Sequence, residues 1–166
     1  YNGVQLMDKH QFSDGIDPYI IPGDPKTGLL WGISGEALAE RGTGDSKVQA
    51  YNYRLCLSNE PSNRIPVTKP DDYYASRYEL LLRVIEKNKS ANLSPHLKID
   101  LMPNHKTDIN NNGPFSTDMI GMNYDYPEAD FATRKKIAKA HENYTKGLLY
   151  FLGNDARVPV HLRDEM

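Results

Sequence analysis

A chain of 166 residues, 39% of them hydrophobic, is long enough to close one core, and no run approaches the ~20 apolar residues of a membrane-spanning helix. Twenty basic residues against 22 acidic ones, a formal net charge of −2, leave no electrostatic footprint for nucleic acid. The single cysteine, Cys56, excludes an intrachain disulfide and a cysteine-rich zinc site.

In chain order, residues 1–47 come first and are punctuated by Gly and Pro. The run "DGIDPYIIPGDPKTGLLWGISG" reads as turns and short extended pieces. The segment 48–57, "VQAYNYRLCL", then alternates and predicts a strand. Tyr51, Tyr53, Leu55 and Leu57 fall on its core face; Ala50, Asn52, Arg54 and Cys56 fall on the other. An amide and a guanidinium so close together suit an anion, though a solvated strand face explains them equally well. "SNEPSNRIPVTKPDD" is a loop. A helix is predicted near 72–88, capped by Asp71 or Asp72 after Pro70, with Tyr74, Tyr78, Leu81, Leu82 and Ile85 as its apolar stripe. "LKIDLM" is a short extended run. The second principal helix is predicted near 127–152, with Pro127 at its first position and Glu128 and Asp130 in its first turn. Its stripe is Ile137, His141, Tyr144, Leu148 and Phe151, and Gly153 marks its stop. The segment "DARVPVHLRDEM" turns and starts a further helix. The expected fold is therefore α+β: a small, mainly antiparallel sheet, two principal helices and long Gly/Pro-rich loops, all in one domain over 1–166. The abrupt start at Tyr1 and the charged end "LRDEM" further predict a segment of a longer protein.

The densest polar stretch is "KTDINNNGPFSTD", Lys106 to Asp118. Counted as a calcium loop from Asp108, positions 1, 3, 5 and 6 fit, as Asp108, Asn110, Asn112 and Gly113. Position 12 requires a bidentate Glu and holds Met119, so no metal is expected there. Asn, Asp and Gly also build self-satisfied turns. The flanking Lys106, Thr107, Ser116, Thr117 and Asp118 add donors, acceptors and a cation, which suits a polar ligand. Nucleotide motifs fail: "GTGDSK" lacks the third glycine of a dinucleotide turn and the ending of a P-loop. His10, His96, His105, His141 and His161 form no metal-like pair one helical turn apart. His141 lies on an apolar stripe and reads as a core histidine; His105, in the polar stretch, is the better acid/base candidate.

Four stretches together, "IDPYIIPGDPKTGLL", "VQAYNYRLCL", "PNHKTDINNNGPFSTDMIGMNYDYPEADF" and "YTKGLLYFLGNDARVP", resemble a group of bacterial FAD-dependent oxidoreductases often labelled xanthan lyases. The resemblance runs in order along nearly the whole chain. It implies a flavoenzyme in which a Gly-rich N-terminal part binds FAD, a middle segment caps the flavin on the substrate side, and a later segment returns to the flavin domain. This chain is similar to the middle segment and lacks the dinucleotide turn, so no FAD is expected on it alone. The implied partners are the FAD-binding part of the same polypeptide and a small polar or anionic substrate. The resemblance places Lys106, Asp108, Asn112, Ser116 and Asp118 on the loop facing flavin and substrate, joined by Asn52 and Arg54. With His105 and Thr117 added from the polar stretch itself, the catalytic candidates are His105, Lys106 and Asp108, and the substrate-binding candidates are Asn52, Arg54, Asn112, Ser116, Thr117 and Asp118. His105 stands where the family usually has a basic residue of another kind. A polysaccharide lyase or carbohydrate-binding domain is the alternative, since Tyr-rich surfaces and Asn/Asp loops suit sugars. An interaction module without chemistry is the third possibility. The compartment stays open, with export of the whole protein to the periplasm among the choices.

Overall fold

Two apolar stripes at helical spacing organise the molecule, whose computed structural model describes residues 11–166; Tyr1 and His10 lie outside the described residues. The first helix, α1 (Glu79–Asn88), buries Leu80, Leu81, Leu82, Val84 and Ile85. The long helix α2 (Phe131–Asn154) buries His141, Tyr144, Leu148, Leu149, Phe151 and Leu152. A short C-terminal helix, α3 (Val160–Glu165), adds Leu162 to the same core. Aromatic rings join these parts. Tyr78, just before α1, lies 5.8 Å from Tyr144 and 5.4 Å from Phe151, centroid to centroid, and Trp31 sits 5.5 Å from Tyr144. The tilted and edge-on arrangements among them are those that aromatic quadrupoles favour.

Both principal helices exist, with corrected starts. Residues 75–78 form a 3-10 turn, and the α-helix begins only at Glu79, not near 72. Neither Asp71 nor Asp72 caps it. Asp72 pairs with Arg77 at 3.3 Å, and that guanidinium also lies over the rings of Trp31 and Tyr74. Pro127 opens a separate 3-10 turn, Tyr126–Glu128. The true N-cap of α2 is Asp130, whose carboxylate accepts the Thr133 N–H at 2.7 Å. Gly153 lies inside the last turn, and the helix ends one residue later, capped by Asp155.

Three strands form one antiparallel sheet: β1 (Cys56–Ser58), β2 (Leu97–Met102) and β3 (Lys106–Asn111), in the order β1-β3-β2. A three-residue hairpin loop, 103–105, joins β2 to β3. Asn104 and His105 both take positive φ there, 61° and 59°, as a turn that reverses the chain so tightly requires. The predicted strand over 48–57 is much shorter than expected. Only its end enters the ladder, and Asn52 makes a single bridge to Asp118. The ladder with β1 ends at Cys56 although β3 runs on to Asn111, and Asn52 instead meets Asp118 in the loop that follows Gly113 (φ 74°). The alternation itself survives, with Arg54 and Cys56 exposed and Leu55 and Leu57 half-buried. The α+β architecture, a small antiparallel sheet with two main helices, is as the sequence predicts.

Candidate functional site

The polar stretch 106–118 becomes strand β3 and the loop that follows it, and most of its polar groups bind one another or the backbone nearby. Asn52 donates its amide to Asn110 Oδ1 at 3.1 Å and to Thr117 Oγ1 at 2.8 Å. Asn111 donates to Asp118 Oδ2 at 2.6 Å, and Asn112 donates to the Ser94 carbonyl. The Ser116 carbonyl receives the Tyr144 hydroxyl. Asn123 reaches back to the Gln49 carbonyl at 2.8 Å. Ser116, Thr117 and Asn123 are buried. The effect is a polar staple that ties residues 49–54 to the loop after β3.

Arg54 and Asp108 form a two-pronged pair, with Nε to Oδ1 at 3.2 Å and a second contact through Nη2. The register explains it: Asp108 stands opposite Cys56, two residues from Arg54 on the same exposed face. The pair is half-exposed, so it adds little to stability, yet it neutralises the cation that was a candidate for substrate. It also occupies the first position of the calcium-like count. Among the described residues, no group of three His, Cys, Asp or Glu side chains is placed to hold a metal ion.

His105 and Lys106 stand apart from this staple, exposed at the hairpin tip and the start of β3. The His105 carbonyl accepts from the Asn59 N–H at 2.9 Å, while its imidazole has no hydrogen-bond partner among the described residues. The predicted positions thus separate into a staple (Asn52, Thr117, Asp118, with Ser116 and Asn112 bonded outward from it), a surface ion pair (Arg54, Asp108) and a free hairpin end (His105, Lys106).

Lys106 lines a feature that the sequence does not announce. A groove of about 650 Å³ runs between β1, the 63–67 loop, the hairpin and the C-terminal ends of α2 and α3. Three cations, Arg64, Lys106 and Arg163, face it against one carboxylate, Asp164; Leu57, Ile65, Val67 and Met166 supply apolar wall. Arg163 Nε is buried behind this wall without a hydrogen-bond partner among the described residues. A guanidinium N–H left so is costly in the absence of an acceptor. Arg64 and Arg163 escaped the sequence reading because the groove draws its residues from separate parts of the chain, and no local spacing links them.

Elsewhere the perturbed groups are structural. Burial lowers the His96 pKa to about 4, and Ser90 Oγ lies 2.8 Å from its Nε2. Burial holds the Tyr144 and Tyr78 phenols far above their ordinary range, so both act as neutral donors. His141 is the expected core histidine, its Nδ1 2.8 Å from the Ile137 carbonyl.

The sheet of the described residues is antiparallel, and they contain no strand–helix–parallel strand unit whose helix N-terminus could face a pyrophosphate. No protein-family model matches the chain, and no curated protein or solved structure does either.

Proposed function

We propose that this chain is the substrate-side domain of an FAD-dependent oxidoreductase, a member of the group that its sequence resembles. In this reading the flavin belongs to another part of the polypeptide, and this domain binds and orients a small anionic substrate. The observation that carries the binding role is the groove at the hairpin. Arg64, Lys106 and Arg163 converge on it with a single opposing carboxylate, and its apolar wall lowers the local dielectric around them. Guanidinium groups suit a carboxylate or a sulfate-like group through paired N–H donors, and Lys106 adds a mobile point charge from the strand start. In this reading the Arg54–Asp108 pair and the Asn52 staple hold β3 and the loop after it and do not touch ligand.

Two measurements test this. A longer polypeptide that carries this segment should show the visible absorbance of bound flavin; a colourless protein that takes up no FAD refutes the oxidoreductase reading. Calorimetric titration of this chain with small carboxylates and sugar acids tests the groove. Lys106→Ala and Arg64→Ala should each weaken binding about tenfold, roughly 1.4 kcal/mol, whereas Arg54→Ala should leave it unchanged. Binding that depends on Arg54 and not on Lys106 or Arg64 overturns the assignment of the groove.

A further inference from the structure

The groove beside the hairpin holds more positive charge than one carboxylate neutralises. Elsewhere the chain sets guanidinium groups against its own carboxylates: Arg54, Arg77, Arg83 and Arg157 each lie within ion-pair reach of an Asp or Glu side chain. Arg64, Lys106 and Arg163 have no such partner among the described residues, although all three line the same groove. Asp164 is the single carboxylate side chain on its lining. Three cations against one anion leave the equivalent of two positive charges beside an apolar wall, where solvent screens them less than on an open surface. The cations also belong to different elements. Arg64 follows the Pro61–Asn63 turn, Lys106 is the first residue of β3, and Arg163 lies in the last turn of α3. Arg163 is half-buried in the wall, whereas Arg64 and Lys106 are exposed at the rim. Charge set at two depths suits two anionic groups held apart better than one compact group. The uncharged lining includes Leu57 and Val67, both half-buried, and Ile65, which is 90% exposed. An isoleucine so open beside a cation gains from a ligand whose apolar part covers it.

On the reading of this groove as the substrate site, we infer that the substrate is a dicarboxylate, two carboxylate groups joined by an apolar stretch. Arg163 takes one carboxylate within the groove, Arg64 and Lys106 take the other at the rim, and the connecting methylenes lie on Leu57, Ile65 and Val67. The paired N–H donors of a guanidinium match a carboxylate. Holding one end makes the second contact intramolecular, so two weak ends together give a firm site. Selectivity follows from the same count. A monocarboxylate leaves one end of the groove uncompensated, and inorganic phosphate places its charge at one point with nothing to cover Ile65.

Calorimetric titration of the chain tests the inference, with circular dichroism of each variant as the control for folding. The probes are the unbranched α,ω-diacids from succinate to suberate, the monocarboxylate of equal carbon number for each, and inorganic phosphate. At least one diacid should bind about tenfold tighter, or more, than its monoacid and than phosphate. Lys106→Gln and Arg64→Gln, both at exposed positions, should each remove most of that advantage while changing monoacid binding less. Ile65→Ser should weaken diacid and monoacid alike. Equal affinity for diacid and monoacid, lost together in the Lys106 and Arg64 variants, overturns the dicarboxylate and leaves the groove as a site for a single anionic group. Phosphate binding as tight as the best diacid overturns the two-point arrangement. No binding of any probe overturns this inference and the assignment of the groove with it.

Discussion

A single missing side chain allows one close approach in the core. Gly147 lies in the middle of α2, where a Cβ would stand 2.2 Å from the Tyr78 hydroxyl. That hydroxyl is itself pinned, donating to the Tyr144 carbonyl at 2.9 Å. Gly147→Ala should therefore destabilise by roughly 2 kcal/mol despite the better helix propensity of alanine, read as a lower urea midpoint with an unchanged slope. His96 makes a pH prediction. The unfolded imidazole protonates near its ordinary value of 6.5, whereas burial delays protonation in the native state to about 4. The native state binds fewer protons across that window. Stability should thus be fullest above the ordinary value and fall by up to about 3 kcal/mol as the pH drops toward 4. Urea titrations at several pH values check this, and His96→Asn should flatten the dependence.

At the scale of elements, the caps decide where helices begin. Asp130 alone supplies the side-chain cap of α2, and the Thr133 N–H holds its carboxyl below the usual range. Asp130→Ala should cost about 1 kcal/mol in thermal unfolding, and Asp130→Asn much less, because an amide oxygen can still accept. Both helices and strand β2 were legible in the sequence because stripes such as Tyr78, Leu81, Leu82 and Ile85 are local signals, whereas β3 lies in the stretch read as a polar turn. The helix starts were not, because Asp72 and Pro127 satisfy the local rule for a cap while Arg77 and the Tyr126 turn claim them instead. The candidate site was less legible still. "KTDINNNGPFSTD" advertises polar groups correctly, yet sequence cannot say that Asn52 and Tyr144, some sixty and thirty residues away, satisfy them. Lys106 was identified; Arg64 and Arg163, which face the same groove, are visible only once the chain is folded.

For the whole molecule, order is distributed unevenly along the chain. Residues 34–46 are exposed throughout and carry no helix or strand, whereas α2 contributes Phe151 and Leu152 to the centre of the core. Limited trypsin digestion should cut first at Arg41 and leave the cationic residues of α2 intact until global unfolding, as mass spectrometry of early fragments would show. Phe151→Ala should lower stability by about 3–5 kcal/mol, enough to abolish folding at physiological temperature in a domain of ordinary stability. One surface feature has a practical use. Cys56 is the chain's only thiol, it is exposed, and it forms part of the groove that Lys106 lines. A maleimide dye would react there alone and place a reporter beside whatever enters. Occupancy could then be followed by fluorescence in the wild-type sequence, with no engineered attachment point and without knowing the ligand beforehand.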